Sequence, residues 1–450
     1  MEPFRYHVFV CTQEKSEGVK CCSADCSWEV LAALQRQLET QGLDGDVQVT
    51  TCGCLGLCDD GPMVIVYPDG VWYGNVKATD APEIVASHLR AGKPVARLVR
   101  SAAEIMKAQI KDHRAQYRAM LKAREQAGIV PDEINELIRG FMPSRAVLTA
   151  LELDVFAAVA EGTPAEEVAR RIQASQRGTE MLLNALVSLK LLRKENGSYR
   201  NTPISARFFL DRSPDSARKA LLHTANLWQR WSSLTECIRT GTPVQTKTRD
   251  SDWVNTFIAA MDRNARERSR AVVEAVGAEG VHRLLDLGGG SAAHSIAFAK
   301  ANPGLSAEVL DLADVIPLTQ EYIGKAGLSE RIRTRAGDML TDPLGHDFDL
   351  VLLSAICHMF SPDENRNLYR RAYAALAPGG RLLVHDFILE PGKTAPRFAA
   401  LFSLNMLVGT RGGSSYSEPE YTEWLREAGF RDIRRVRQPG PSGFFIATRT

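Results

Sequence analysis

The sequence predicts a multidomain α/β protein, and three observations support this prediction. The chain has 450 residues, of which 44% are apolar and 24% charged, enough for two to four domains of about 100–200 residues each. Seven of the nine cysteines lie before residue 60, which confines almost all thiol chemistry to one small module. From about residue 280, strand-like and helical segments alternate, which favours a doubly wound parallel sheet.

Composition and charge argue against several classes of protein. The formal net charge of +1 does not favour nucleic-acid binding through bulk charge. No apolar run reaches the roughly 18 residues of a membrane helix, and the first residues lack the basic and apolar regions of a signal peptide. We therefore expect a cytoplasmic protein with no nucleic-acid or membrane partner. Thiols stay reduced in that compartment, so clustered cysteines favour a metal site over disulfides.

Residues 1–92 are predicted to form a compact module of strands and helices. The segment 27–42 has apolar residues at helical spacing and ends near a glycine, which indicates a helix. Pro68-Asp69-Gly70 separates two strand-like runs and predicts a hairpin turn. The other predicted elements are strands at 7–12 and 46–54, the hairpin at 62–74 and a helix at 80–89.

Residues 93–135 are predicted to be a helical linker. The stretch 98–127 is basic, favours a helix and contains neither proline nor glycine. Charged runs on helices are usually solvated faces, which favours a solvated element with no function of its own. The sequence leaves both interpretations open.

Residues 136–260 are predicted to be a winged-helix and helical domain. In the segment 145–162, four apolar residues share one helix face: Val147, Leu151, Val155 and Val159. Thr163-Pro164-Ala165-Glu166 has the pattern of a capping box that starts the next helix. Asn196-Gly197 lies between polar strands, which is typical of a type I′ hairpin and predicts the wing.

Residues 261–450 are predicted to form the parallel sheet with its helices, with an antiparallel strand at the end. The strand-like segments are 283–290, 306–312, 331–339, 348–356 and 380–389, and the closing strands are 431–437 and 443–449. Ligands of such sheets bind at the carboxyl ends of the strands, so we look there for functional residues.

The N-terminal cysteines have the composition of an iron–sulfur or zinc site. A [2Fe–2S] cluster is held by four cysteine thiolates. Cys54 and Cys58 form one C-x-x-x-C pair, and Cys11 with one cysteine of the next loop (Cys21, Cys22 or Cys26) supplies the rest. A zinc site is the alternative, but zinc sites usually show two short pairs of ligands and only one is clear here.

The segments HVFVCT, CSADCS and GCLGLCDDGPMVIVYPDGVWYG resemble the thioredoxin-like [2Fe–2S] ferredoxins. This resemblance implies a [2Fe–2S] cluster held by Cys11, Cys22, Cys54 and Cys58. Cys21 and Cys26 remain alternatives for the second ligand, and Cys52 is additional to the family's pattern.

The segment LLDLGGGSAAHSIAFA (284–299) reads as a strand, a glycine turn and a helix. The turn alone is ambiguous, since Gly288, Gly290 and Ala293 fit a dinucleotide fingerprint and Asp311 follows at the distance expected for a ribose ligand. The acid Asp286 inside the strand, with AGDM at 336–339 and LAPGG at 376–380, favours S-adenosylmethionine instead.

These motifs resemble class I methyltransferases. Together with the winged helix, they are similar to the small-molecule O-methyltransferases whose winged helix mediates dimerisation, over about residues 136–450. The resemblance implies a homodimer and a set of residues that bind S-adenosylmethionine: Asp286, Gly288 and Gly290 at the turn, Asp311 at the ribose, Asp338 and Met339 at the adenine, and Ser354, where plant relatives have lysine. Ala292 departs from the third glycine of many methyltransferases, and His294 is expected either to contact the methionine carboxylate or to cap the helix.

The segment SAICHMFSPDENR (354–366) resembles the family segment whose histidine removes the proton of the acceptor. The resemblance implies that His358 is the catalytic base and that Asp386 orients it, while Ser415 replaces a second acid of the plant enzymes. Residues 397–417 are expected to line the acceptor pocket, with Trp228, Trp231 and Phe257, although these are equally compatible with core packing. For a carbon or sulfur acceptor, His358 need not be a base.

The predicted function is methylation, by S-adenosylmethionine, of an oxygen on a small aromatic or polycyclic molecule. The fused cluster would deliver electrons, report redox state or dock a redox partner protein. One alternative is a C-methyltransferase that acts on a tetrapyrrole-like pigment, and another is an electron-transfer protein with a degenerate methyltransferase domain. DNA binding is disfavoured, because the would-be recognition helix TEMLLNALVSLKLL is mostly apolar.

Overall fold

The computed structural model describes residues 3–15, 19–100, 102–159, 161–244, 251–438, 440 and 442–450. Its contacts divide the chain into two compact units, residues 1–140 and 141–450. Within the described residues, we find no helix with both the length and the apolar character needed to cross a membrane.

The first unit contains a four-stranded sheet that is flanked by helices. The sheet has the order β2-β1-β3-β4, in which β1 and β2 are parallel and the other neighbours are antiparallel. Its elements are β1 (Tyr6–Cys11), α1 (Ser27–Gln41), β2 (Val47–Cys52), β3 (Val64–Tyr67), β4 (Val71–Tyr73), α2 (Ala81–Glu83, continued by a π-helical turn at Ile84–Arg90), α3 (Ala103–Gln126) and α4 (Asp132–Arg139). The predicted strands, hairpin and first helix are confirmed.

The core of this unit fixes where the cysteines lie. The apolar face predicted for the first helix is buried, since Val30, Leu34 and Leu38 pack with the inward side chains of the sheet. Parallel β1 and β2 place Cys11 opposite Cys52 at their carboxyl ends. The two cysteine-bearing loops therefore leave the sheet at the same edge.

The second unit begins with a winged helix. Its elements are α5 (Phe141–Glu152), α6 (Val155–Val159), β5 (Glu161–Pro164), α7 (Ala165–Arg171), α8 (Gln176–Ser188), β6 (Leu192–Glu195) and β7 (Ser198–Asn201). Asn196 and Gly197 join β6 to β7 with φ values of 49° and 80°, which confirms the predicted hairpin.

One local prediction in this domain is wrong. Thr163 does not cap a helix, because it lies in β5 and its hydroxyl donates to the carbonyl of Val159 at 2.6 Å. Helix α7 begins at Ala165 after Pro164, without a side-chain cap. The pairing of β5 with the wing strand β7 holds Thr163 in an extended conformation, and tertiary pairing therefore overrides the local capping pattern.

Helices lead from the winged helix into a seven-stranded sheet. The helices are α9 (Pro203–Phe208), α10 (Arg218–Trp231), α11 (Leu234–Thr240) and α12 (Ser251–Val276). The sheet region comprises β8 (Arg283–Leu287), α13 (Ala293–Ala301), β9 (Ser306–Asp311), α14 (Ile316–Lys325), β10 (Ile332–Ala336), β11 (Phe348–Ser354), α15 (Pro362–Ala375), β12 (Leu376–Asp386), α16 (Arg397–Gly409), α17 (Glu418–Glu427), β13 (Arg431–Arg437) and β14 (Gly443–Thr448). Helix α12 is continuous across residue 260, where the sequence suggested a domain boundary.

The topology of the sheet locates the functional edge. The strand order is β10-β9-β8-β11-β12-β14-β13. Strands β8 to β12 pair in parallel, whereas β14 is antiparallel to β12 and β13 is antiparallel to β14, which confirms the predicted antiparallel end. Since the order reverses between β8 and β11, a ligand crevice is expected at their carboxyl ends.

Candidate active site and candidate metal centre

Four cysteines of the first unit converge at the edge of its sheet in two pairs. Cys54 and Cys58 have their sulfurs 3.6 Å apart, and the thiols of Cys11 and Cys22 share a hydrogen bond. Two sulfurs that both lie about 2.3 Å from one tetrahedral metal ion are about 3.8 Å apart. The Cys54–Cys58 distance thus fits two ligands of one metal ion, and Cys11 with Cys22 supplies the second pair of thiols that a [2Fe–2S] cluster requires.

The pairing also perturbs the acidity of the four thiols. The hydrogen bond between the two sulfurs of each pair lowers the pKa of one thiol, Cys11 or Cys54. The same bond raises the pKa of its partner, Cys22 or Cys58. Each pair therefore holds one thiol that deprotonates readily, and thiolates are the form that binds metals.

The geometry favours Cys22 among the three candidates for the loop ligand. Its side chain is buried, and a β-carbon at Gly61 would lie only 2.9 Å from its sulfur. Cys26 is exposed at the start of α1. Cys22 belongs to the same buried cluster as Cys11, and among the described residues Cys21 and Cys26 are not part of that cluster.

Two residues beside the second pair were not predicted from the sequence. Lys15 donates a hydrogen bond to the sulfur of Cys58 at 3.1 Å, and its ammonium lies 2.7 Å from Nε2 of His113 in α3. Burial by itself lowers the pKa of Lys15, but the hydrogen bond to Cys58 opposes it and the net shift is upward. The described residues thus place a cation directly against a predicted ligand.

The glycine turn after β8 requires small residues. Gly288 has a φ of +68°, and a β-carbon there would lie 2.4 Å from Ile356 and 3.1 Å from Met339. The N–H of Gly290 donates to Asp311 Oδ2 at 2.8 Å. The structure therefore brings Gly288, Gly290 and Asp311 together at the carboxyl ends of β8 and β9, with Met339, which follows β10, beside Gly288.

Ala292, in place of a third glycine, keeps the turn but strains it. It adopts a φ of +60° at the start of α13, a conformation that costs an L-residue about 1–2 kcal/mol. His294 follows in the first turn, and its side chain does not cap the helix.

Asp286 and Asp338 each accept a hydrogen bond from the protein. Asp286 is 1% exposed and accepts a hydrogen bond from Ser295 Oγ at 2.7 Å, beneath the glycine turn. Burial raises its pKa to about 6. Asp338 is exposed, and its Oδ1 accepts from the N–H of Leu340. Asp286 thus supports the turn from below, and Asp338 stabilises the turn that presents Met339.

Ser354 joins two buried histidines. Its hydroxyl lies 2.9 Å from both His294 Nε2 and His385 Nδ1, and His385 Nε2 lies 3.0 Å from Ser442 Oγ. Burial lowers the pKa of His294 to about 4 and that of His385 to about 3, so both rings are neutral near pH 7. His385 and Ser442 were missed because no local sequence pattern links positions 57 residues apart.

His358 and Asp386 form a buried pair at the ends of β11 and β12. Nδ1 of His358 lies 2.6 Å from Oδ1 of Asp386, and Oδ2 accepts from the His358 N–H at 3.1 Å. Burial by itself raises the pKa of Asp386, but the charge and hydrogen bond of His358 outweigh it and the net shift is downward. An ionised Asp386 keeps the proton on Nδ1, which leaves Nε2 as a basic atom. Nε2 has no hydrogen-bond partner among the residues that the structure describes.

An aromatic cluster lies beside this histidine. Phe402 of α16 packs edge-on against the ring of His358, with centroids 4.9 Å apart. Phe387 and Phe398 complete the cluster, and Phe398 is 48% exposed. Helix α16, expected to line the acceptor pocket, therefore presents aromatic rings next to the candidate base.

Three residues of the helical segment were predicted to line the acceptor pocket, and each makes a different contact. Trp231 donates from Nε1 to Asn405 Oδ1 of α16 at 2.9 Å. Trp228 packs under Arg145, and Phe257 stacks on Trp253. The hydrogen bond of Trp231 thus joins one of the three predicted residues to α16.

Comparison with known families covers both units of the chain. Residues 2–88 match the thioredoxin-like [2Fe–2S] ferredoxin. Residues 135–211 match the O-methyltransferase dimerisation domain, and residues 237–431 match the O-methyltransferase domain.

Related enzymes match this chain over most of their own sequences. A 3-hydroxy-5-methyl-1-naphthoate 3-O-methyltransferase of Streptomyces sahachiroi is 34% identical over 327 residues, which cover 70% of this chain and 94% of that enzyme. The chain belongs to the O-methyltransferase family. The tetracenomycin polyketide synthesis 8-O-methyl transferase TcmO of Streptomyces glaucescens is 32% identical to this methyltransferase, over 71% of this chain and 97% of TcmO.

A solved structure extends the agreement to the fold. Human N-acetylserotonin methyltransferase in complex with SAM superposes on this methyltransferase with a TM-score of 0.64 at 28% sequence identity. The superposition covers 71% of this chain and 97% of the human chain. The predicted S-adenosylmethionine-dependent O-methyltransferase with a fused [2Fe–2S] domain is confirmed. The match to the dimerisation domain supports a homodimer. The match to the O-methyltransferase domain supports a small molecule as the methyl acceptor.

The residues fit both cofactors. Four cysteines in two pairs match the donor set of a [2Fe–2S] cluster. At the second site, the strained glycine turn has no room for side chains at Gly288, and the buried Nδ1 of His294 has no hydrogen-bond partner among the described residues. A buried polar atom of this kind is costly unless a ligand or water satisfies it.

Proposed function

We propose that this methyltransferase methylates a phenolic hydroxyl of a small fused-ring aromatic acceptor, with His358 as the general base. The observation that supports this most directly is the 2.6 Å contact of Asp386 with Nδ1 of His358, which leaves Nε2 without a partner among the described residues. A phenol needs to lose its proton as the new O–C bond forms, and a base within hydrogen-bond reach accelerates such a step.

The chain's own residues divide the work of the reaction. Bound S-adenosylmethionine supplies an electrophilic methyl group on a sulfonium. His358 accepts the phenolic proton at Nε2, and the carboxylate of Asp386 stabilises the resulting imidazolium. The buried surroundings of the pair, 6% and 2% exposed, keep bulk water away from the proton transfer.

The aromatic cluster supports a planar acceptor. Phe387, Phe398 and Phe402 present ring faces and edges beside the base, and aromatic rings favour offset-stacked or edge-on partners. Two relatives carry names that place their methyl transfer on a naphthoate and in tetracenomycin synthesis. We infer a polycyclic phenol as the acceptor class.

For S-adenosylmethionine, we propose that Gly288 and Gly290 admit the cofactor to the backbone and that Asp311 accepts from the ribose hydroxyls. Met339 provides an apolar contact for the adenine. Asp286 acts by holding the turn, and Asp338 by holding the segment of Met339. Ser354 orients His294, whose free Nδ1 is available to the amino-acid end of the cofactor.

For the metal centre, we propose Cys11, Cys22, Cys54 and Cys58 as the ligands of a one-electron [2Fe–2S] carrier. A redox partner protein would exchange electrons with it. Dimerisation is proposed through the matched dimerisation domain, in which Phe141 and Met142 of α5 are exposed apolar residues. Sedimentation of the full chain tests this, because a monomer at micromolar concentration would contradict it.

The acceptor proposal is tested by incubating the iron-loaded full chain with methyl-¹³C-labelled S-adenosylmethionine and a panel of naphthols, hydroxynaphthoates and matched deoxy compounds. We expect a single labelled methyl ether, identified by its ¹³C chemical shift, from hydroxylated members only. A labelled methyl on ring carbon would contradict O-methylation and favour C-methylation. The same panel incubated without the protein is the control for non-enzymatic transfer.

A further inference from the structure

Helix α3 has one continuous, partly buried face, and the first part of this face contacts the cysteine loop. Its partly buried residues are Met106, Ile110, His113, Tyr117, Met120 and Arg124, spaced alternately by four and three positions as on one side of a helix. Met106 and Ile110 pack with Cys11, Cys22 and Leu57. Ile110 approaches the C-x-x-x-C loop so closely that a β-carbon on Gly56 would lie 3.1 Å from it. The helix lies beyond the residues that match the ferredoxin family.

This face holds the ammonium group of Lys15 at the second cysteine pair. Lys15 Nζ lies 3.1 Å from Cys58 Sγ, 2.7 Å from His113 Nε2 and 4.9 Å from the ring centroid of Tyr117. A lysine ammonium only donates hydrogen bonds, so His113 accepts at Nε2 and acts as an anchor. The same Nε2 lies 3.7 Å from Cys58 Sγ and 4.0 Å from Cys54 Sγ. The rings of His113 and Tyr117 are nearly parallel, at an interplanar angle of 4°.

We propose that Lys15, positioned by His113 and Tyr117 of helix α3, raises the reduction potential of the [2Fe–2S] cluster through its contact with Cys58. The inference rests on the proposed ligand set. It makes α3 part of the redox centre rather than an inert linker.

The physical reason is the change of charge on reduction. A cluster held by four thiolates gains one electron, and its net charge becomes more negative by one. A cation and a hydrogen bond at a ligand sulfur stabilise the more negative state, and both are known determinants of cluster potential. Because His113 and Tyr117 fix the ammonium at Cys58, the effect falls on the iron that Cys54 and Cys58 bind.

The test is a redox titration of the full chain, with dithionite as the electron donor, followed by visible absorption and by the EPR signal of the reduced cluster. We expect Lys15→Met to lower the ratio of reduced to oxidised cluster at a fixed potential about tenfold, which is ~59 mV for one electron. We expect His113→Ala to lower it less, because Lys15 keeps its contact with Cys58. Because His113 acts mainly through Lys15, His113→Ala should lower the ratio less in the Lys15→Met background than in the wild type.

Lys122→Met is the matched control. Lys122 is exposed on the same helix and lies nine positions beyond His113, which is about 13 Å along the helix axis. Lys122→Met changes the net charge of the chain by the same amount as Lys15→Met. The proposal is overturned if Lys15→Met titrates like Lys122→Met, or if His113→Ala lowers the potential as much in the Lys15→Met background as in the wild type. Should Lys15→Met fail to retain iron, Lys15→Gln replaces it, and an unchanged potential there overturns the proposal as well. Wild-type protein without iron would instead refute the ligand set.

Discussion

Nδ1 of His358 lies 2.6 Å from Oδ1 of Asp386, and both side chains are almost completely buried. The two residues follow different strands, 28 positions apart, and meet only because β11 and β12 pair in parallel. A carboxylate in this position fixes the tautomer of the imidazole and stabilises its protonated form. Asp386 therefore enables His358 to act as a base, and the first prediction concerns the loss of this carboxylate.

Asp386→Asn is expected to lower kcat for a phenolic acceptor by about 10²–10⁴-fold. The amide keeps the volume but carries no charge, so the imidazolium loses its partner. The dissociation constant of S-adenosylmethionine, measured by calorimetry, should change less than threefold. Asp363→Asn is the matched control, because Asp363 is 96% exposed in the side chain and lies outside the site. Equal kcat values in the two variants would argue against the pair.

Gly288→Ala is expected to weaken S-adenosylmethionine binding at least about tenfold. The added methyl would lie 2.4 Å from Ile356 and would have to adopt a φ of +68°, a region that non-glycine residues avoid. Gly324→Ala serves as the control, since a β-carbon there meets nothing within 4 Å. If calorimetry gives the same affinity for both variants, the turn is not where the cofactor approaches the backbone.

Cys22→Ser is expected to abolish or strongly reduce cluster retention, whereas Cys21→Ser and Cys26→Ser should keep it. The thiol of Cys22 interacts with that of Cys11, and the two lie in one buried cluster. Iron and acid-labile sulfide per chain, measured after anaerobic purification, separate the variants. Retention in Cys22→Ser together with loss in Cys21→Ser would move the ligand by one residue.

The buried histidine chain predicts acid sensitivity. The pKa of His385 is lowered by burial to about 3, below the ordinary value of about 6.5, so the unfolded chain binds a proton there that the folded chain does not. Stability is therefore fully present above pH 6.5 and is lost as the pH falls toward 3. Between pH 6 and 4, we expect wild-type protein to lose about 1.4 kcal/mol per pH unit more than His385→Gln. Urea unfolding at several pH values measures this, and identical slopes would contradict it.

Much of the fold could be predicted from periodicity and turn chemistry. The helix at Ser27–Gln41, the wing at Asn196-Gly197 and the alternating strands after residue 280 are set by local patterns that the tertiary structure reinforces. Thr163 shows where such reasoning fails, because a strand partner from a distant segment outweighs a local capping signal. A capping box describes hydrogen bonds between near neighbours in the chain, so it cannot predict the pairing of a strand with a distant segment.

The candidate site was predictable only in part, for a related reason. His358, Asp386 and the glycine turn lie in segments with a family resemblance, and the structure brings them to one edge of the sheet. Lys15 and His113 are 98 positions apart and belong to no motif. His113 does stand on the same helical stripe as Met106 and Ile110, and that spacing is the one signal that could have linked the helix to the cysteines.

The central claim is that His358 removes the proton of a phenol. The measurement that tests it most directly compares kcat of the wild type and His358→Gln on two acceptors of the same ring system, one an ordinary phenol and one with an electron-withdrawing group that ionises it at neutral pH. If His358 is the base, the variant should lose about 10²–10⁴-fold with the ordinary phenol and only a few-fold with the acceptor that is already ionised. An equal loss with both acceptors would contradict the account and would assign His358 a role in positioning alone.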